Sequence, residues 1–73
     1  MKWIQTKDKN PITYKSGHWD GLMSDEVIAE DKDGKKWIAV LYSGFLDGTE
    51  FNDWYNNNDY SIRNIVRWAE ITD

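Results

Sequence analysis

Apolar residues in this chain occur in short runs separated by polar turn residues, and two of these runs flank an Asp-Gly pair. One run covers residues 26–31, Asp33-Gly34 follows it, and the next run covers residues 35–43. An Asp-Gly pair between two apolar runs is a strong hairpin signal, because glycine adopts a positive φ angle without steric cost and aspartate tolerates one. The pattern therefore predicts two antiparallel strands joined by a tight turn.

The second of these runs is apolar on both faces of the predicted strand. Its residues alternate between two sets, Trp37, Ala39 and Leu41 on one face and Ile38, Val40 and Tyr42 on the other. Two apolar faces are typical of a strand in the interior of a sheet. We therefore expect this strand to be central and covered on both sides, by the N-terminal segment and by the long loop that follows the strand.

Turn residues predict loops elsewhere and one further hairpin. Asp47-Gly48 lies between short apolar stretches and predicts a second tight turn. Residues 3–5 are expected to be extended, and residues 6–11 and 16–24 to be irregular because they contain proline or glycine. Residues 53–60 combine aromatic rings with three consecutive asparagines, which disfavour helix and strand interiors, so we expect a polar aromatic loop there.

The C-terminal segment is compatible with two structures. Ile62, Ile65, Val66 and Ala69 have the i, i+3, i+4, i+7 spacing of a helix. The same segment also alternates as a strand would, with Ile65, Arg67, Ala69 and Ile71 on one face. Periodicity favours the helix slightly and leaves the strand open.

Length and composition limit the chain to one small domain. Its 73 residues are 40% hydrophobic and 15% aromatic, which is too apolar for a disordered tail. The chain has no cysteine for a disulfide or thiolate metal site, no apolar run of the roughly 18 residues that span a bilayer, and no visible signal peptide. We expect a cytoplasmic protein without membrane contact, whose core depends on Trp3, Trp37 and Trp68.

The net charge of −4 is distributed unevenly along the chain. Residues 1–17 hold four lysines against one aspartate, whereas residues 18–73 hold five basic and twelve acidic residues. An acidic surface argues against nucleic-acid binding, which requires clustered lysine and arginine. The acidic residues between positions 25 and 33 could instead imitate nucleic-acid phosphates, although Lys32, Lys35 and Lys36, within and just after the cluster, dilute its charge.

Candidate catalytic and metal-binding residues are few. Asp31 and Asp33 before Gly34 have the spacing of a calcium loop, but alignment with an EF-hand places Ala29 and Val40 at its first and last ligand positions. His18 is the single histidine, so a multi-histidine metal site is not available. The carboxylates that could act in pairs all fall in predicted loops: Asp20, Asp25, Asp53 and Asp59. We expect no enzyme activity, no cofactor and no metal.

Four segments of the chain, including both ends, resemble a known family. The pieces that match are residues 3–11, the predicted strands at 26–31 and 37–42, and the closing Ile65-Val66-Arg67-Trp68. They resemble domain-of-unknown-function family 551, whose small bacterial and phage proteins open with Trp-Ile, a Lys-Asp or Lys-Glu pair and a proline. The chain departs from that pattern at Arg67, where the family often has histidine, and in its tail, which lacks the usual proline. The resemblance implies a compact β-meander, which favours a strand at the C-terminus, and an intracellular accessory role without an assigned activity.

These observations predict a mainly β fold, a small antiparallel β-meander of three to four strands over residues 1–73, with long aromatic loops and room for one short helix. We expect a non-enzymatic accessory protein of phage or prophage type that binds a protein partner rather than nucleic acid. Tryptophan and tyrosine dominate the hot spots of protein interfaces. The candidate contact residues are therefore the surplus aromatic rings: Trp54, Tyr55, Tyr60, Trp19 and Phe51.

Three alternative functions stay open at this point. One is an acidic inhibitor that imitates nucleic acid to block a host enzyme. Another is a binder of small ligands, nucleotides or sugars, that uses the same aromatic and amide groups of residues 53–60. The third is a homo-oligomer that pairs copies through an exposed strand edge.

Overall fold

A computed structural model of the protein describes residues 2–16 and 21–71, which form one antiparallel sheet of eight strands without a helix in those ranges. The mainly β fold is confirmed. The prediction of three to four strands is wrong, because the sheet also contains short strands of two to four residues, most of which the sequence pattern did not indicate. The strands are β1 (Ile4–Gln5), β2 (Thr13–Ser16), β3 (Leu22–Ser24), β4 (Val27–Asp31), β5 (Lys36–Leu46), β6 (Thr49–Asn56), β7 (Ser61–Ile62) and β8 (Ile65–Glu70).

The hairpin predicted around Asp33-Gly34 is confirmed as the β4–β5 pair. Gly34 has a φ of 83°, and its N–H donates to the carbonyl of Asp31 over 3.0 Å. The Asp31 carboxylate accepts the N–H groups of Asp33 and Lys35 at 2.9 and 3.0 Å. The side chain that precedes the turn therefore fixes the turn's geometry.

The turn predicted at Asp47-Gly48 is also confirmed. Both residues have positive φ angles, 52° and 81°, as a two-residue type I′ hairpin turn requires. β5 and β6 pair from Ala39 opposite Asn56 to Leu46 opposite Thr49. The polar aromatic loop predicted at residues 53–60 is therefore wrong over its first half, because pairing with β5 outweighs the low strand propensity of asparagine and aspartate.

The glycines in residues 16–24 predicted an irregular stretch, but most of its described residues belong to strands. β2 and β3 pair as antiparallel strands, with Ser16 opposite Leu22 and Thr13 opposite Ser24. β3 continues the sheet by pairing with β5, where Met23 lies opposite Tyr42. Among the described residues of this stretch, Ser16 and residues 22–24 are therefore part of the sheet.

The C-terminal segment is a strand, as the family resemblance implies and against its helical spacing. β8 pairs with β4 on one edge and with β1 on the other. A shift of register between Glu30 and Asp31 marks a bulge in the β4–β8 pair. Two neighbouring strands therefore decide the conformation of a segment whose own pattern is ambiguous.

The sheet is strongly curled. β4 and β6 both pair with Ala39 of β5, so they lie on opposite edges of that strand. β7 and β8 are consequently four strand spacings apart, about 19 Å in a flat sheet. Only two residues separate Ile62 from Ile65, a link that reaches about 11 Å at most, so the sheet must curl to bring β7 and β8 together.

The core fills the inner face of this curled sheet. Ala29 of β4 lies opposite Trp37 on β5 and opposite Trp68 on β8, so a small residue separates two large rings. Trp68 is a core residue as predicted, Trp37 is half-buried and packs against the core, and Trp3 is half-buried and does not belong to the buried cluster. The buried cluster consists of Val27, Ala29, Ala39, Leu41, Trp54 and Trp68.

β5 is central, as predicted, because other strands pair with both of its edges. On its inner face Ala39 and Leu41 are buried. Its outer face is covered unevenly, since Tyr42 is 2% exposed and Ile38 is 39% exposed. The prediction that β5 is covered on both faces is therefore wrong at Ile38. The segment expected to cover β5 as a loop is strand β6, which pairs with the edge of β5 and extends the sheet instead.

Candidate functional site

The aromatic residues predicted to contact a partner do not form one surface. Trp54 is 9% exposed and belongs to the core, where it lies opposite Leu41 on β5 and Ile62 on β7. Strand alternation places Phe51 and Tyr55 on the opposite face of β6 from Trp54. The expected contact role of Trp54 is thus corrected, because its ring is buried inside the sheet.

Phe51 and Tyr55 are both half-buried and pack against the protein itself. The Tyr55 ring contacts Tyr42 edge-on, with centroids 5.3 Å apart and an interplanar angle of 86°. The Phe51 ring lies over Gly44, where an added Cβ would come within 3.1 Å of the ring. Much of each ring is therefore used within the sheet rather than offered to a partner.

Tyr60 is the predicted contact residue whose ring is most accessible among those the structure describes, with 69% exposure. It follows a tight turn in which the amide oxygen of Asn56 accepts the N–H groups of Asn58 and Tyr60 at 2.9 and 3.0 Å. That oxygen shapes the turn and is not available to a ligand. Trp19, together with His18 and Asp20, lies outside the described residues.

A groove at the other end of the sheet is a stronger candidate site. It has a volume of about 420 Å³ and lies where the starts of β2 and β4 meet the end of β8. Its apolar lining combines buried and exposed side chains, and carboxylates complete it. The lining residues are Lys9, Pro11, Ile12, Tyr14, Asp25, Glu26, Val27, Trp68, Glu70 and Ile71.

Two hydrogen bonds position the floor of the groove. The indole N–H of Trp68 donates to the carbonyl of Lys9 over 2.9 Å, which fastens the loop before β2 to β8. Thr6 anchors the start of that loop, because its N–H donates to the carbonyl of Val66 over 3.0 Å. The floor itself consists of the buried residues Pro11, Val27 and Trp68.

A buried serine positions the acidic side of the groove. Ser24 is fully buried, and its hydroxyl accepts the N–H of Leu41 at 2.9 Å and donates to the carbonyl of Asp25 at 2.8 Å. The bond from Leu41 gives its backbone N–H a partner at the point where β5 stops pairing with β4 and begins to pair with β3. The two bonds together fix the link between β3 and β4, which carries Asp25 and Glu26.

Asp25 already has partners within the protein. Its Oδ1 accepts the hydroxyl of Tyr14 at 2.6 Å and lies 3.1 Å from the ammonium of Lys15. The hydrogen bond from Tyr14, followed by that from Lys15, lowers the pKa of Asp25. The same contacts with Asp25 raise the pKa of Tyr14 and the pKa of Lys15. Asp25 is thus held ionised and orders the Tyr14 side of the groove.

Glu26 and Glu70 differ from Asp25 because neither makes a hydrogen bond or an ion pair with any residue in the described ranges. Both side chains are exposed. Beside them, Ile12 is 72% exposed, Tyr14 56% and Ile71 47%. The groove therefore offers apolar surface next to two exposed carboxylates, of which Glu26 interacts with Lys15 only through its charge.

Sequence reasoning missed this groove because its lining comes from three separate parts of the chain. One local signal was present: Ile12 and Tyr14 alternate with the polar residues Thr13 and Lys15 directly after Pro11. That alternation is typical of a strand with one apolar face. It could have identified β2, but not its position beside Trp68 and Ile71.

Two searches of the described residues limit the chemistry further. Within residues 2–16 and 21–71 no group of three histidine, cysteine, aspartate or glutamate side chains is placed to hold a metal ion. No helix in the same ranges has the length and apolarity needed to cross a membrane.

Comparisons of this chain with models of protein families, with curated proteins and with solved structures find no match. The resemblance to domain-of-unknown-function family 551 therefore stays a prediction, together with the accessory role that it implies.

Proposed function

We propose that this protein is a non-enzymatic binding module that holds a segment of a partner protein in the groove. The observation that carries the proposal is the exposure of Ile12, Tyr14 and Ile71 around the buried ring of Trp68. Contiguous exposed apolar surface in a concave site is typical of binding sites. The volume of about 420 Å³ lies in the range of small-ligand pockets, which is space for a few side chains of a partner segment.

Binding is better supported than catalysis. A general acid at neutral pH needs a raised carboxyl pKa, because it must hold a proton to donate. The pKa of Asp25 is lowered instead, through its contacts with Tyr14 and Lys15. Glu26 and Glu70 are exposed to solvent, so they lack the burial by which proteins favour the protonated form of a catalytic carboxyl group.

An inhibitor that imitates nucleic acid receives less support. Of the acidic cluster at residues 25–33, Glu30 is bonded to Arg67 and Lys36, and Asp25 to Lys15. Carboxylates neutralised in this way present fewer free charges than a row of phosphates would.

The proposal is tested by affinity capture with matched variants. Ile12→Ser combined with Ile71→Ser removes apolar surface from the groove, and Phe45→Ser combined with Leu46→Ser removes similarly exposed apolar surface elsewhere. Proteins from a host-cell lysate that the unchanged protein enriches should be lost with the first variant and kept with the second. Circular dichroism first establishes that both variants are folded.

A third variant, Tyr60→Ser, examines the aromatic surface predicted from the sequence. We expect it to capture the same proteins as the unchanged chain. Loss of capture with Tyr60→Ser or with the Phe45 and Leu46 variant, while the groove variant still captures, would overturn the groove as the binding site.

A further inference from the structure

We propose that the groove selects a basic, aliphatic segment, in which a lysine or arginine lies at Glu26 and Glu70 and an aliphatic side chain covers Val27 and Trp68. This inference rests on the proposed function and specifies the chemistry of its partner. Three features of the groove carry it: two exposed carboxylates that make no hydrogen bond or ion pair with the described residues, a lining with three carboxylates and one lysine, and the apolar floor beside them.

The two carboxylates are close neighbours in the fold. Glu70 lies opposite Val27 in the β4–β8 pair, and Glu26 directly precedes Val27 in the chain. Strand spacing and residue spacing together place the Cα atoms of Glu26 and Glu70 about 6 Å apart. Both residues line the groove, so a cation bound there is attracted by both carboxylates.

No base in the described part of the protein forms an ion pair with Glu26 or Glu70. Lys15 on β2 forms its ion pair with Asp25 and interacts with Glu26 only through its charge. Lys9 lines the groove but forms no ion pair with either glutamate, and its carbonyl is used by the indole of Trp68. An occupant with a positive charge would therefore supply the direct ion pair that Glu26 and Glu70 lack among the described residues.

The floor beside the carboxylates selects for an apolar neighbour of that cation. Val27 and Trp68 are buried at the base of the groove, while Ile12 and Ile71 remain exposed beside them. An aliphatic side chain placed there covers this surface and loses its own water contacts. An anionic occupant such as a nucleic acid is disfavoured, because its phosphates would face the same carboxylates.

The test uses synthetic peptides and nuclear magnetic resonance. The first peptide carries lysine-isoleucine-lysine between glycine and serine residues, and its matched control carries glutamine-isoleucine-glutamine. The indole N–H of Trp68 is a reporter at the floor of the groove because it is bonded to the Lys9 carbonyl. We expect the lysine peptide to shift this resonance and to bind about fivefold to tenfold more tightly than the glutamine peptide.

Variants assign the effect to charge at the groove. Glu26→Gln combined with Glu70→Gln should reduce the preference for lysine to less than about twofold. Glu50→Gln combined with Asp53→Asn removes the same net charge from β6 and should leave the preference unchanged. A lysine peptide that binds no more tightly than the glutamine peptide, or a preference that survives in the Glu26 and Glu70 variant, overturns the proposal.

Failure of this proposal is distinguishable from failure of the proposed function. If both peptides bind equally and the Ile12 and Ile71 variant abolishes both interactions, the groove is a binding site without selection for charge. If that variant leaves lysine-peptide binding unchanged, the peptide lies outside the groove and both proposals are overturned.

Discussion

Two glutamates, Glu30 within β4 and Glu26 directly before it, have opposite surroundings in the fold. Glu30 is 8% exposed, and its carboxylate accepts hydrogen bonds from Arg67 Nε at 2.6 Å and Nη2 at 3.1 Å while the Lys36 ammonium lies 3.0 Å away. Glu26, four residues earlier, is exposed and has no such partner among the described residues. We call Glu30, Lys36 and Arg67 the Glu30 cluster and compare it with the groove carboxylates, Glu26 and Glu70.

Cross-strand register explains the difference. Glu30 lies opposite Lys36 on β5 and opposite Arg67 on β8, so a base flanks it on each neighbouring strand. Glu70 lies opposite the apolar Val27. The comparison shows that the residues opposite a carboxylate determine whether its charge is used to hold strands together or stays available to a partner.

The Glu30 cluster also fastens the N-terminus. The guanidinium of Arg67 stacks over the ring of Trp3, with 4.4 Å between its central carbon and the ring centroid. Trp3 immediately precedes β1, which pairs with β8 beside Arg67. Arg67 thus links the N-terminal residues to β4 and β8 through two different contacts.

The largest expected effect follows from Arg67→Ala. This change removes both hydrogen bonds to the poorly exposed Glu30 and the stacking on Trp3. We expect the Tm to fall by about 5 °C or more, because a largely buried carboxylate loses its bidentate partner. Arg63→Ala is the matched control, since Arg63 is exposed and forms no hydrogen bond, ion pair or ring contact with the described residues, and the Tm of this variant should stay nearly unchanged.

Acid should weaken the Glu30 cluster. Hydrogen bonds from Arg67, then from Lys36, lower the pKa of Glu30 from 4.5 to about 2. Because this pKa is lower in the folded state, ionised Glu30 stabilises the fold fully above pH 4.5, and the contribution is lost as the pH falls towards 2.

Denaturant unfolding of the unchanged protein and of Glu30→Gln checks this pH dependence. The variant should be less stable near neutral pH, and the difference should shrink below pH 4.5. A difference that stays constant down to about pH 3 would contradict the assigned pKa.

A smaller effect is expected for Tyr14→Phe, which tests how the partners of Asp25 in the groove lower its pKa. The substitution keeps the ring at the groove but removes the hydrogen bond to Asp25. The pKa of Asp25 should rise towards its ordinary value, because Tyr14 is the largest cause of its lowering. Carboxyl carbon shifts measured against pH report this pKa, and Tyr60→Phe, at an exposed tyrosine away from Asp25, should not change it.

The smallest effect on stability is expected when the groove carboxylates are neutralised. Glu26→Gln with Glu70→Gln should leave the Tm within about 3 °C or raise it slightly, because both carboxylates are exposed and neither forms a hydrogen bond or ion pair with the described residues. Calorimetry of this variant beside Arg67→Ala gives the comparison directly. A destabilisation as large as that of Arg67→Ala would mean that Glu26 and Glu70 hold the fold together as Glu30 does.

Local signals in the sequence predicted the two Asp-Gly hairpins and the central position of β5. They predicted neither the strand character of residues 53–56 nor the burial of Trp54, because both depend on pairing with β5. The groove was beyond sequence reasoning for the same reason. Its lining joins Ile12, Val27 and Trp68, whose proximity follows from the order of β8, β4, β5, β3 and β2 in the sheet.

The sequence by itself determined where the chain turns, because Asp33-Gly34 and Asp47-Gly48 meet a requirement for positive φ angles that involves only neighbouring residues. Tertiary structure alone decided which carboxylates are neutralised, which rings are buried and whether residues 65–70 form a strand. These outcomes depend on partners distant in the chain, since register across a curled sheet sets which side chain each residue meets.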